Sequence, residues 1–134
     1  FVFFGSEELG LLGSLEYIRS LTEPERNSIL TMFNFDALGT SSASGILASD
    51  ELAASVELLA KARNIELKRH FDLGNSSSDH SPFAEASIPF IFFLGDDFSR
   101  IHTIDDTMDF VTPGLLGNAA ILAIALLEEL PSTE

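Results

Sequence analysis

The chain has 134 residues, enough for one domain with a core of its own, and a formal net charge of −14 that argues against nucleic acid and anionic membranes as partners. It has no cysteine, so disulfides and thiolate metal sites are excluded and any cation would be held by carboxylate and imidazole. No apolar run reaches the roughly 20 residues needed to span a bilayer.

The chain opens without an initiator methionine on Phe1-Val2-Phe3-Phe4, so it reads as a fragment or trimmed chain whose upstream part, including N-terminal strands, is missing. Residues 1–4 read as a buried strand, continuous rather than alternating, that ends at Gly5. Beyond it Gly5-Ser6-Glu7-Glu8-Leu9-Gly10 sets two acids side by side, and residues 9–21 carry Leu11, Leu15 and Ile18 at helical spacing. Pro24 and its charged neighbours mark residues 22–27 as a surface connection.

Residues 28–36 form the second strand candidate, rich in Ile, Leu, Met and Phe, which finishes in Asn34-Phe35-Asp36. A small, polar loop follows, and residues 45–48 read as a short edge strand. Ser49 or Asp50 caps a helix bearing Leu52, Val56 and Leu59 that ends near Asn64. Residues 65–71 alternate apolar and charged, as in a strand with one wet face, and place His70 at the surface. The loop over residues 72–78, with its Ser-rich stretch 75–78, leads into Asp79-His80-Ser81-Pro82-Phe83 and a short helix to Ala86.

Residues 88–94 are the most apolar strand candidate, and the acidic loop after Gly95 carries His102, Asp105 and Asp106. Thr112-Pro113 starts a last helix, to about Leu130, that is apolar nearly all round and so predicts cover on more than one side. Alternation of strands and helices predicts an α/β fold, a three-layer α/β/α sandwich around a mixed, mostly parallel sheet.

Glu8, Asp36 and His102 each follow a strand candidate and so reach one edge of such a sheet, where ligands collect in open α/β folds. Two carboxylates and an imidazole suit zinc and related divalent ions, and a further acid beside them suits proton transfer. The competing reading of Glu7 and Glu8 is a pair of solvated charges in a turn.

Four motifs in order, Phe3-Phe4-Gly5-Ser6-Glu7-Glu8-Leu9-Gly10-Leu11-Leu12-Gly13-Ser14, Asn34-Phe35-Asp36, Ser78-Asp79-His80-Ser81-Pro82-Phe83 and Ile101-His102-Thr103 with Asp106-Thr107, resemble the cocatalytic dizinc exopeptidases. That group, metallopeptidase family twenty-eight, includes bacterial leucyl aminopeptidases, glutamate carboxypeptidase II and glutaminyl cyclases. The resemblance implies an aminopeptidase with two zinc ions and a peptide substrate, of which residues 1–134 form the C-terminal part of the catalytic domain. By the same resemblance Glu7 is the general base acting on the metal-bridging water, Glu8 and His102 bind one zinc, and Asp36 binds the other. The family's upstream His and bridging Asp have no counterpart here, so the chain alone is expected to be inactive, with a partial or empty site.

Asp79 reads as a support of the metal centre, as a contact for the substrate amine or as a helix cap, and Asp106 either as a support for the His102 loop or as an ordinary turn acid. His80 reads as structural. A rival reading of the whole chain is a non-catalytic assembly module that forms a homodimer through an exposed strand edge or the final helix. Glutaminyl cyclase, carboxypeptidase and dipeptidase activities are further alternatives within the family, whose habits suggest a secreted, periplasmic or cell-envelope location.

Overall fold

The structure, a computed structural model, describes residues 1–40, 42–70, 73–74 and 76–131. In chain order the elements are α1 (Leu12–Ser20), α2 (Glu23–Ser28), β1 (Met32–Phe35), β2 (Ser44–Ala48), α3 (Asp50–Ala62), β3 (Leu67–Arg69), α4 (Ser81–Glu85), β4 (Phe90–Leu94) and α5 (Pro113–Glu129). Asp72 and Asn75, part of the expected loop before Asp79, lie outside the described residues.

The sheet order is β1-β4-β2-β3. β1 runs parallel to β4 with Asn34 opposite Phe92, β2 runs parallel to β3, and β2 is antiparallel to β4. The sheet is therefore mixed and mostly parallel, as expected. β1 and β4 end at the same edge, and the chain leaves that edge through Asp36 on one strand and toward His102 on the other.

Alternation along the strands divides the core in two. Ile46, Ile91 and Phe93 point to one face and pack against Ala53 and Val56 of α3 and Leu122 and Leu126 of α5. Met32 belongs to the opposite cluster, which holds Ile18 of α1, Phe83 of α4 and Ile88, with Phe4 and Tyr17 against them. Two helical layers thus enclose the sheet. Burial of each such side chain stabilises the fold by roughly 1.5–3 kcal/mol before the entropy of ordering is counted.

Several expectations need correction. Residues 1–4 form no strand: Phe1 and Phe3 are exposed, and only Phe4 is drawn in, its ring 5.6 Å from Tyr17 and 6.0 Å from Phe83. A Phe/Val run favours a strand only when a neighbouring ladder takes up its backbone groups, and none of the described strands pairs with it. The supposed connection over residues 22–27 is largely helical. Pro24 lies in the first turn of α2, where its missing N–H costs nothing, and the Glu25 carboxylate accepts bonds from the Thr22 amide at 2.7 Å and the Thr22 hydroxyl at 2.6 Å.

β2 is an inner strand, not an edge. Gly45 permits it, because a Cβ there would stand 2.9 Å from the Leu94 carbonyl oxygen and 3.1 Å from His70 Nε2. His70 is accordingly half-buried rather than a surface histidine, and burial lowers its pKa. The last helix is less covered than its composition predicts, since Ile121, Ile124 and Leu127 of α5 remain about half exposed.

Candidate active site

Glu7 and Glu8 lie in a single 3₁₀ turn, Glu7–Leu9, pinned between strained joints. Ser6 and Leu11 both have φ of 59°, a left-handed conformation costly for side chains with a Cβ. The turn folds back on α1: the Gly13 amide donates to the Gly5 carbonyl at 3.1 Å, and a Cβ on Gly13 would lie 2.6 Å from that oxygen. Glycine at position 13 is therefore what lets the acidic turn sit against the helix. These acids come from a 3₁₀ turn, not from a strand tip.

The loop after β4 brings His102 to the same place. Its Nε2 lies 2.8 Å from Glu8 Oε1, although 94 positions separate the two residues. Both side chains are about 70% exposed, so this contact does little for stability. His102 nonetheless adopts a φ of 63°, conformational strain spent on an exposed contact, as at sites organised for function. The hydrogen bond to Glu8 and then its charge raise the imidazole pKa, with Asp106 and Glu7 acting in the same direction.

Asp36 follows β1 at the strand's C-terminal end, before Ala37 at φ 50°. Its Oδ2 accepts a 2.7 Å bond from the Ser78 hydroxyl, and Ser78 Oγ accepts a 2.9 Å bond from Asn34 Nδ2. Ser78 and Asn34 are both buried. Glu7, half-buried, stands among these charges: burial raises its pKa first, then Asp36, Glu8 and Asp79, while His102 opposes them. A carboxyl group so placed holds a proton more readily than an exposed glutamate, as a general base must before passing the proton on.

The predicted residues therefore share one rim. Glu8 and His102 touch, Asp36 and Asp79 act on Glu7 through their charge, and Asp106 acts on His102 in the same way. Among the described residues, no group of three or more of these donors is arranged to hold an ion unaided. Asp79 is partly buried, with Oδ1 buried and unpartnered. His80 is structural, as expected: its ring lies 4.9 Å from Phe90 and 4.7 Å from Phe92, and burial lowers its pKa to about 4 against the pull of Asp36. Sequence reasoning overlooked Asn34 and Ser78 as site residues. The available signal was parity, because Asn34 is two positions before Asp36 and so shares its face of the strand.

The model of Peptidase family M28 matches residues 1–127. The chain belongs to peptidase family M28. Among relatives of this M28 chain, Aminopeptidase YwaD of Bacillus subtilis is 34% identical over 141 residues, a match covering 96% of the chain and 31% of that protein. Leupeptin-inactivating enzyme 1 of Streptomyces exfoliatus is 29% identical, over 75% of the chain and 23% of its own length. Of solved structures, BSAP, a zinc aminopeptidase from Bacillus subtilis, superposes with a TM-score of 0.81 at 31% identity, covering 98% of this chain and 35% of that one. The M28 chain thus spans about a third of the length of YwaD and BSAP.

The donor chemistry of the rim fits a divalent cation in kind: carboxylate oxygen and imidazole nitrogen, with one such pair, Glu8 and His102, already in contact.

Proposed function

We propose that the full-length protein is a zinc-dependent aminopeptidase, and that residues 1–134 form the C-terminal part of its catalytic domain, inactive alone. The observation that carries this reading is the Glu8–His102 contact at 2.8 Å beside Glu7, whose pKa is raised by burial and by the surrounding acids. Glu8 and His102 would hold one ion and Asp36 the other. Zinc, when bound, supplies positive charge that polarises the scissile carbonyl and makes the attacking water more acidic.

The chain's own residues do the rest. Glu7 takes a proton from the attacking water and returns it to the leaving nitrogen, so the carboxylate is regenerated as the peptide bond breaks. Asp36 and Asp79 make the rim negative, which suits the free ammonium group of a peptide. Asp106 acts on the His102 imidazole through its charge, a proximity that supports a role in holding the His102 loop. The half-exposed Ile121, Ile124 and Leu127 support a homodimer through α5, tested by sedimentation of the full-length protein, in which a strict monomer contradicts it.

The activity is tested with zinc-loaded full-length protein on a short peptide and on its N-acetylated twin. Cleavage of the free peptide alone, abolished by a chelator, is the expected result. Equal cleavage of both peptides rules out the aminopeptidase reading.

A further inference from the structure

Asn34, Ser78 and Asp36 form a hydrogen-bonded chain whose direction is fixed by chemistry. An ionised carboxylate only accepts, so the single Ser78 proton must point to Asp36 Oδ2, 2.7 Å away. Ser78 Oγ must then accept from its other neighbour, and Asn34 Nδ2 supplies that bond at 2.9 Å. Both donors are nearly sealed from water, with Asn34 7% and Ser78 2% exposed. Burying such groups costs free energy that is recovered when their bonds are made, as they are here. Asn34 is held in β1 beside Phe92 of β4, so the start of the chain is anchored in the sheet while its end reaches the rim.

We propose that Asn34 is a positioning residue for the metal centre: its amide commits the Ser78 hydroxyl to donate to Asp36 Oδ2, which fixes the rotamer of Asp36 and reserves Oδ1 for the cation. This rests on the proposed role of Asp36 as a metal ligand and extends it two side chains inward. Partners of this kind that orient a ligand typically alter metal affinity by about 10- to 100-fold when removed.

The polarity of the chain makes the proposal testable by substitution. Asn34→Asp keeps the shape but turns the donor into an acceptor, so positions 34 and 36 compete for one Ser78 proton. The added negative charge alone would tighten cation binding, whereas loss of the committed donor loosens it. Calorimetric zinc titration of metal-free full-length protein distinguishes the two. The expected result is that Asn34→Asp and Ser78→Ala each weaken the ion lost in Asp36→Ala by about 10- to 100-fold. Ser78→Thr, which keeps the hydroxyl, retains wild-type affinity.

Unchanged or tighter zinc binding in Asn34→Asp, with native circular dichroism, overturns the proposal. Should Asn34→Asp not fold, Ser78→Ala and its Ser78→Thr rescue decide the matter, and equal affinities in these two also overturn it. Failure of the underlying reading looks different: there Asp36→Ala itself binds as much zinc as the wild type.

Discussion

Glu8 and His102 meet at 2.8 Å across 94 positions of chain, both well exposed and the histidine held at a φ of 63°. An exposed pair of this kind gives the fold little, and under the proposed function its geometry prepares the rim for a cation. Replacing either partner should therefore separate function from stability. His102→Ala and Glu8→Ala are expected to lose one zinc per chain and to lower kcat/KM by more than about 100-fold. Their unfolding midpoints in zinc-free buffer should match the wild type. Metal analysis and urea titration of the same samples check both halves.

Gly13 is expected to matter through the acids it accommodates. In Gly13→Ala the new Cβ would stand 2.6 Å from the Gly5 carbonyl oxygen and 2.9 Å from the Gly5 nitrogen, both backbone atoms that cannot turn aside. The turn bearing Glu7 and Glu8 must shift, and a displacement of about 1 Å can cost on the order of 100-fold in rate. We expect kcat to fall while circular dichroism is retained, because residues 5–9, which must shift, belong to no strand of the sheet.

His80 gives the fold a pH dependence. Its folded pKa, lowered by burial to about 4, lies below the ordinary value of 6.5, so the unfolded chain binds the proton more readily. The neutral imidazole between Phe90 and Phe92 is stable above pH 6.5, and that stability is lost progressively as pH falls toward 4. The full difference corresponds to up to about 3 kcal/mol. Urea unfolding at pH 7 and pH 5 should show the loss in the wild type, and a shallower one in His80→Phe. Equal slopes would show that the ring does not carry the effect.

Local patterns were sufficient for much of the architecture. The apolar run through Phe90–Leu94, the helical faces of α3 and α5 and the order of the acidic and histidine motifs can all be read along the chain. What escaped depends on contacts distant in sequence. The place of β2 inside the sheet follows from β4, about 45 positions later, pressing on Gly45. Residues 1–4 stay outside the sheet, despite their β-favouring side chains, because none of the described strands pairs with them. Pro24 looked like a breaker because its position in the first turn of α2 depends on the Thr22–Glu25 bonds. Glu7, Glu8, Asp36 and His102 were legible as a set, whereas the support of Asp36 by Ser78 spans 42 positions and has no local signature.

The account rests on Glu7 as the group that moves the proton, and one substitution tests it most directly. Glu7→Gln preserves the shape of the side chain and removes its basicity. In zinc-loaded full-length protein, with a free peptide as substrate, we predict a fall in kcat of about 100- to 10,000-fold with zinc content unchanged. Turnover at the wild-type rate would contradict the assignment of Glu7 and, with it, the reading of this rim as a peptidase active site.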